Sequence, residues 1–360
     1  MSYFPINCQR GKNPAVAPCP AARYLRHMTR RTIALILIAL AFCVRLTLAD
    51  TLEAGSTFPS RDTLNCAPES LADAAACVEG LRWKPADFTV RIEAATGQGD
   101  WLVRFPTPIS SGDEVNDNVA MEWHLARDPE GKPKLAPAIV IVHESGRGMV
   151  AGRLFAQGLR LYGFHTFLIH LPGYGARTSA LTGDPMKMLP ALKQAIADVR
   201  RARDVVAVLP FVDKSLIGLQ GTSLGGFVTA TVAGLDRGYD RTFILLAGGN
   251  IADVILTGTR DAAGLRKRLT EAGITEAQIR LHSQAIEPMR IAHRVDPLKT
   301  WLFTGLKDEV VPPACSVAFA TAGKLDATHH IQLPVGHYTA AILMPLILPR
   351  INELMRAPSE

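Results

Sequence analysis

Several features that mark other protein classes are absent from this sequence. It has no group of Cys and His residues at the spacing of a metal site, no internal repeat and no basic run outside its first 49 residues. Such groups and runs are typical of metalloproteins and of nucleic-acid-binding proteins. We therefore expect no cofactor, no metal and no nucleic-acid partner.

The formal net charge of +6 is concentrated at the N-terminus. Seven of the 39 basic residues, and none of the 33 acidic residues, lie in 1–49, so the rest carries 32 basic against 33 acidic residues. This near-neutral remainder argues against a polyanion-binding surface. The chain is 48% apolar, which allows a sizeable core and excludes global disorder.

The first 49 residues have the composition of a targeting sequence. Arg30 and Arg31 precede an apolar run over 33–44, and the segment ends in Ala49. This order predicts a signal peptide over about 28–49, with Met28 as a candidate start. The run is short for a membrane span, and an uncleaved anchor is the alternative. We expect an exported protein, periplasmic or secreted, that meets the membrane only through this segment if it is uncleaved.

Three of the six cysteines follow this leader. Cys66 and Cys77 enclose a short helical stretch, and an exported compartment permits disulfides. We expect either a Cys66–Cys77 disulfide or two buried thiols. Cys315 is then left over, as a small core residue.

The pattern of apolar residues predicts a mixed sheet. Segments 88–92, 101–105 and 119–125 alternate apolar with polar residues, which favours half-exposed antiparallel strands at one edge. Continuous apolar runs follow at 138–142, 164–171, 216–220, 242–247, 300–304 and 330–333. Helical patterns separate them, and strands buried on both faces and joined by helices form a parallel sheet.

These patterns divide the chain into a leader over 1–49, an N-terminal extension over 50–85 and one α/β domain over 86–356. About fifty residues between 247 and 300 are mainly helical and charged, which is too long for an ordinary connection. We expect a helical cap over about 250–297 that covers the carboxyl edge of the sheet. A surface excursion away from that edge is the alternative.

A serine between two glycines follows the apolar run 216–220. Gly221 and Gly225 flank Ser223 in a G-x-S-x-G spacing, and a helical pattern begins at Leu224. Glycine relieves crowding on a sharp strand-to-helix turn, and the first N–H groups of the helix can bind a developing oxyanion. Ser223 is the candidate nucleophile, and a plain turn serine is the alternative.

A serine nucleophile needs a base with a pKa near 7, and an imidazole needs a carboxylate to fix its tautomer. Asp308 and His337 each follow a predicted strand, and parallel strands end at one edge of a sheet. We therefore predict a Ser223–His337–Asp308 triad. The rival acids and bases are Glu309, Glu287, His329 and His330, while His143 and His170 are expected to be structural.

The order of these parts resembles the α/β-hydrolase fold over about residues 85–355, in its dienelactone-hydrolase-like and bacterial esterase branch. The matching motifs are the serine turn at 217–226, the P-G-Y-G loop at 172–175, the G-x-x-D-x-x-V-P loop at 305–312 and Gly336-His337. The resemblance implies a mostly parallel sheet flanked by helices, with the cap inserted between the sixth and seventh strands of that fold.

The resemblance also implies where an oxyanion would bind. The expected donors are the backbone N–H of Leu224 and one from the loop after the strand at 138–142, most readily that of Ser145. Relatives usually have glycine after His143, whereas this chain has Glu144. We expect Glu144 to alter the loop and to disfavour anionic substrates.

Together these features predict an exported serine hydrolase that cleaves carboxylic esters through an acyl-enzyme. A peptidase, a thioesterase or an acyltransferase could use the same triad, and a non-catalytic binding protein is a further alternative. The expected partner is a small acyl or ester substrate. The substrate's identity and the oligomeric state are left open by the sequence.

Overall fold

The computed structural model describes residues 52–179 and 187–358. The predicted signal peptide lies outside the described residues. Within the described part of the chain, no helix is long and apolar enough to cross a membrane.

Ten strands form one sheet in the described part of the chain. They are β1 (Thr57–Arg61), β2 (Asp87–Ala94), β3 (Trp101–Pro106), β4 (Asn118–His124), β5 (Ala136–Val142), β6 (His165–Ile169), β7 (Val212–Thr222), β8 (Arg241–Leu245), β9 (Thr300–Gly305) and β10 (His330–Leu333). Their order across the sheet is β1-β2-β3-β4-β6-β5-β7-β8-β9-β10. The first four strands and the β4–β6 pair are antiparallel, and the pairs from β6 to β10 are parallel.

In the described part of the chain, some of the α-helices pack on the two faces of this sheet and others lie in the connections between strands. They are α1 (Ala72–Leu81), α2 (Glu114–Asp117), α3 (Val150–Leu161), α4 (Met188–Val206), α5 (Leu224–Asp236), α6 (Ile251–Thr257), α7 (Asp261–Glu271), α8 (Glu276–Ser283), α9 (Pro313–Ala322) and α10 (Met344–Arg356). Short 3-10 turns lie at Gly175–Arg177, Gln284–Ile286, Pro288–Arg290, Ala292–Arg294 and Thr339–Leu343.

The core consists of two layers, one on each face of the sheet. On one face Ile139, Phe243 and Trp301 pack with α3 and α10. On the other face Ile244 and Leu302 pack with α5 and α9. All side chains of β6, β8 and β9 are buried, as their continuous apolar sequences predict. The predicted α/β class, with a parallel sheet and an antiparallel edge, is confirmed.

The N-terminal extension contributes a strand that the sequence did not predict. β1 pairs antiparallel with β2 at the edge of the sheet, although only Ser60 of its five residues is buried. Asp62, directly after β1, accepts two hydrogen bonds from Arg201 on α4. Residues 57–62 are thus joined to the sheet and to a central helix.

The three cysteines of the described residues are free thiols. The disulfide prediction for Cys66 and Cys77 is therefore wrong, and the thiol alternative describes them better, with Cys77 buried and Cys66 partly buried. Burial raises the pKa of Cys66 to about 11, which keeps it protonated at neutral pH. Cys315 lies in a small apolar cluster with Val254 and Val310, as expected.

The insertion between β8 and β9 holds α6, α7, α8 and three 3-10 turns. Its first half lies at the carboxyl edge of the sheet, where Thr259 donates two hydrogen bonds to the carbonyl of Glu309. Its second half returns along the domain, where Arg290 binds Asp73 on α1 and Arg294 donates to the carbonyl of Gly234 on α5. The insertion therefore contacts the loop of Asp308 in its first half and runs along the surface in its second half, and a cap over the site stays a prediction.

Candidate active site

The turn between β7 and α5 holds Ser223 in a strained conformation. Its φ is 54° and its ψ is −117°, outside the common regions for a residue with a side chain. A Cβ atom at Gly221 would collide with the carbonyl of Gly225, and one at Gly225 would collide with the carbonyl of Val142. Glycine is required at both positions because each added Cβ would meet a backbone carbonyl that cannot move aside, and the one at Gly221 would also meet the hydroxyl of Thr229.

Three side chains that are remote in sequence meet at the carboxyl edge of the sheet. The Nε2 atom of His337 lies 2.9 Å from Oγ of Ser223, and its Nδ1 atom lies 2.7 Å from Oδ2 of Asp308. The loops that carry Asp308 and His337 follow β9 and β10, which are neighbours in the sheet. The chain thus brings the predicted base within hydrogen-bonding distance of both the predicted nucleophile and the predicted acid.

The carboxylate of Asp308 is held in place by its own loop. Its Oδ1 atom accepts hydrogen bonds from the N–H groups of Val310 and Val311, both at 2.9 Å. The side chains of Asp308 and His337 are only 2% and 9% exposed. With Oδ2 accepting from Nδ1–H, Nε2 of His337 carries a lone pair toward the serine hydroxyl.

The rival residues are engaged elsewhere. Glu287 accepts hydrogen bonds from the N–H groups of Asn250, Ile251 and Met289, and burial raises its pKa. It therefore anchors the start of α6. Nδ1 of His329 contacts Asp326, and Nε2 of His330 contacts Thr304, while Glu309 is exposed and pairs loosely with Arg260.

The two backbone N–H groups that are predicted to bind the oxyanion, those of Leu224 and Ser145, have no acceptor assigned within the described residues. Leu224 is the first residue of α5, so its N–H has no acceptor within that helix. The N–H of Ser223 is already occupied, because it donates to the carbonyl of Leu245 at 2.9 Å. Ser145 lies in the exposed loop after β5, and the structure assigns its N–H no acceptor among the described residues.

Glu144 has a different environment from the one that the sequence suggests. Its two carboxylate oxygens accept hydrogen bonds from the N–H groups of Ala151 and Gly152, each at 3.1 Å. These are N–H groups of the first turn of α3, which favours a negative charge. The carboxylate therefore caps this helix, and its effect on anionic substrates stays a prediction.

His143 and Tyr174 make contacts near the site that the sequence does not predict. His143 is buried, its Nδ1 lies 2.6 Å from the carbonyl of Glu144 and its Nε2 accepts from the N–H of Leu171. Burial lowers its pKa to about 3, so the ring is neutral. Tyr174 packs on this ring at a centroid distance of 4.6 Å. The P-G-Y-G motif could have drawn attention to Tyr174, but no sequence signal gives its partner.

His170 is structural, as expected. Its Nε2 lies 3.2 Å from the buried carboxylate of Glu122, and its Nδ1 accepts from the N–H of Ala176. In the described part of the chain, no group of three or more His, Cys, Asp or Glu residues is arranged to hold a metal ion.

Comparison with known proteins supports the assignment of the fold. Residues 157–335 match the prolyl oligopeptidase family, a region that includes Ser223 and Asp308 and ends two residues before His337. No curated protein sequence matches this chain.

Solved structures with the same fold include two esterases and a peptidase. Acetyl xylan esterase 1 from Thermoanaerobacterium sp. JW/SL YS485 aligns with a TM-score of 0.53 and 14% identity, over 81% of this chain and 96% of that chain. The acetyl xylan esterase from Paenibacillus sp. R4 aligns with a TM-score of 0.52 and 16% identity, over 79% of this chain and 96% of that chain. The acylaminoacyl peptidase from Pyrococcus horikoshii aligns with a TM-score of 0.51 and 12% identity, over 76% of this chain but only 49% of that chain.

The chain has the α/β-hydrolase fold. At these identities the structural likeness establishes the fold alone. Together with the family match, it supports a hydrolase of the α/β-hydrolase type.

Proposed function

We propose that this protein is an exported serine hydrolase that cleaves carboxylic esters through an acyl-enzyme. The observation that carries the proposal is the pair of hydrogen bonds that join Ser223 to His337 and His337 to Asp308, at 2.9 and 2.7 Å. This arrangement turns a weakly nucleophilic hydroxyl into an attacking group at neutral pH.

In the first half of the reaction, Oγ of Ser223 attacks the ester carbonyl while Nε2 of His337 takes the serine proton. Asp308 keeps the proton on Nδ1 and stabilises the imidazolium that forms. The N–H groups of Leu224 and Ser145 bind the negative oxygen of the tetrahedral intermediate. The intermediate then collapses, and His337 returns its proton to the departing alcohol.

In the second half, water replaces the alcohol. His337 removes a proton from the water, whose oxygen attacks the acyl-enzyme carbonyl and forms a second tetrahedral intermediate in the same oxyanion site. Collapse of this intermediate breaks the bond to Ser223, which recovers its proton from His337. The free acid leaves, and no cofactor is consumed in either half.

Esters are preferred over other acyl substrates in this proposal because of the shared fold with two acetyl xylan esterases. Both match over 96% of their own length, whereas the acylaminoacyl peptidase matches over 49% of its length. The match to the prolyl oligopeptidase family supports peptide hydrolysis as the second candidate.

The test compares hydrolysis of 4-nitrophenyl acetate and butyrate with that of peptide 4-nitroanilides. We expect the esters to be cleaved with the higher kcat/KM, and Ser223→Ala to lower kcat by a factor on the order of 10⁶. Ser215→Ala removes a serine on β7, the strand that precedes Ser223; the Ser215 hydroxyl donates to Asp213, and its loss should leave kcat unchanged. Faster cleavage of the anilides would favour the peptidase, and a folded protein inactive on all acyl substrates would favour a binding protein.

The export part of the proposal is supported by the arginine pair, apolar run and small residues of the first 49 residues. We expect expression of the full chain in a bacterium to yield a mature protein outside the cytoplasm that begins at Asp50. N-terminal sequencing checks this, and a cytoplasmic protein that keeps residues 28–49 would contradict it.

A further inference from the structure

The loop over 143–146 is exposed at Ser145 and Gly146, yet its backbone is held by buried or half-buried side chains. His143 donates from Nδ1 to the carbonyl of Glu144 at 2.6 Å, and its Nε2 accepts from the N–H of Leu171 at 3.1 Å. The ring is fully buried and neutral, so its two nitrogens have fixed roles as one donor and one acceptor.

Tyr174 holds the next peptide of the same loop. Its hydroxyl donates to the carbonyl of Ser145 at 3.0 Å, and its ring packs against His143 with the planes inclined at 59°. The residue is itself anchored, because its N–H donates to the carbonyl of Leu171 at 3.0 Å. Tyr174 thus links the loop after β6 to the loop after β5.

These bonds determine the direction of the neighbouring N–H groups. In a planar trans peptide the C=O and the next N–H point in opposite directions. Because the Glu144 carbonyl faces His143, the Ser145 N–H points away from that ring. Because the Ser145 carbonyl faces the Tyr174 hydroxyl, rotation of the peptide that follows is also restrained.

The start of this loop packs against the turn that carries the nucleophile. A Cβ atom added at Gly225 would meet the carbonyl oxygens of Val142 and His143, so the first turn of α5 touches the end of β5. The N–H of Leu224 belongs to that same turn. The two oxyanion donors therefore lie on backbone segments in direct contact.

We propose that Tyr174 is a positioning residue of the oxyanion hole: it holds the peptide that follows Ser145 while His143 holds the peptide that precedes it, so that the backbone on both sides of Ser145 is fixed and the Ser145 N–H remains aimed at the carbonyl under attack. The inference rests on the proposed function. Its physical basis is preorganisation, because a donor already in place at the transition state needs no reorganisation when the charge develops. Without the hydroxyl, an exposed segment with Gly146 and Gly148 would sample other orientations.

The test uses Tyr174→Phe, which keeps the ring on His143 and removes only the hydroxyl. We expect kcat for 4-nitrophenyl acetate to fall about tenfold or more, part of the loss seen when an oxyanion donor is removed, with KM changed less than about twofold. The inhibition constant of an alkyl trifluoromethyl ketone, which forms a tetrahedral adduct with the nucleophile, should rise by the same factor as kcat/KM falls.

The matched control is Tyr162→Phe, which removes an exposed hydroxyl at the end of α3. It should change neither kcat nor inhibition. An unchanged kcat in Tyr174→Phe, or a rise in KM alone, would overturn the positioning role. A lowered Tm with full activity per folded molecule would also overturn it, since it would mean that the hydroxyl only stabilises the fold.

The Ser223→Ala variant separates this inference from the proposed function. If ester hydrolysis depends on Ser223 but not on the Tyr174 hydroxyl, only the positioning role fails. If hydrolysis survives Ser223→Ala, the proposed function fails, and the role of Tyr174 fails with it.

Discussion

Ser223 occupies backbone that a serine rarely adopts, and the glycines around it make this conformation accessible. The side-chain position at Gly225 is filled by the carbonyl oxygens of Val142 and His143. Backbone atoms cannot rotate aside as a flexible side chain can. Any larger residue at position 225 would therefore displace the backbone of the turn that holds Ser223.

We predict that Gly225→Ala abolishes ester hydrolysis and destabilises the protein by about 2–4 kcal/mol, through overpacking against backbone. Gly80→Ala is the control, because nothing lies within 4 Å of its added methyl group. On the last turn of α1 it should stabilise by about 0.5–1 kcal/mol. Urea denaturation measures both, and an active Gly225→Ala protein would argue against the strained turn.

Asp308 is distinguished from its neighbour Glu309 by burial and by contact with His337. We predict that Asp308→Asn lowers kcat by about 10⁴, because an amide donor at this position favours the wrong imidazole tautomer. Glu309→Gln changes an exposed carboxylate and should leave kcat within about twofold of the unmodified protein, since exposed charges contribute little. Steady-state kinetics with one ester checks both, and equal losses would leave the acid unassigned.

The triad residues could be predicted from the sequence because each follows a predicted strand, and Ser223 also lies between two glycines. His143 and Tyr174 were not assigned roles in the oxyanion loop because both act on carbonyl groups. Every residue has a backbone carbonyl, so the type of residue at the accepting position does not indicate that such a hydrogen bond forms.

The helices α4 and α5 are joined by a buried ion network. Arg200 donates to Asp236 at 2.7 Å and to Asp204 at 3.1 Å, and its side chain and both carboxylates are each about 2% exposed. Removing the guanidinium would leave two buried carboxylates without their buried cation, with Asp204 still bonded to Thr63 and Asp236 to the N–H of Gly238, and this costs more than losing an exposed pair.

We therefore predict that Arg200→Met destabilises the protein by about 3–5 kcal/mol, and that adding Asp204→Asn and Asp236→Asn recovers part of this loss. Arg280→Met is the control, since Arg280 also binds two carboxylates, those of Asp253 and Glu276, but is half exposed. It should leave the free energy of unfolding nearly unchanged. Similar losses in the two arginine variants, measured by urea denaturation, would contradict this account.

The elements themselves were predictable where one physical signal dominates. The strands of the parallel sheet have continuous apolar sequences because helices cover both of their faces. β1 escaped prediction because it is an exposed edge strand that contains Pro59 and buries a single side chain. The return of the insertion to α1 depends on Arg290 and Asp73, a pairing that the sequence does not specify.

On the scale of the whole molecule, acid should destabilise the fold through buried neutral histidines. Burial lowers the pKa of His143 from 6.5 to about 3, and it also lowers those of His124 and His165. Between pH 6.5 and 3 the unfolded chain binds a proton at residue 143 that the folded chain does not. The stability that depends on this group is complete above pH 6.5 and declines as the pH falls toward 3.

We predict that His143 alone makes the free energy of unfolding rise by about 1.4 kcal/mol per pH unit between pH 3 and 6.5. His143→Gln should reduce the slope of the unfolding free energy against pH between pH 4 and 6 by about 1.4 kcal/mol per pH unit, which corresponds to one proton. Urea denaturation at several pH values measures the slope in both proteins. Equal slopes would show that His143 is protonated in the folded state or is solvated.

The central claim is that Ser223 is an activated nucleophile, and covalent labelling tests it most directly. A fluorophosphonate is added to the folded protein, and the modified peptide is identified by mass spectrometry. We predict one adduct per chain, on Ser223, absent in Ser223→Ala and strongly slowed in Asp308→Asn. A folded protein that remains unlabelled, or that carries its adduct on another serine, would contradict the account.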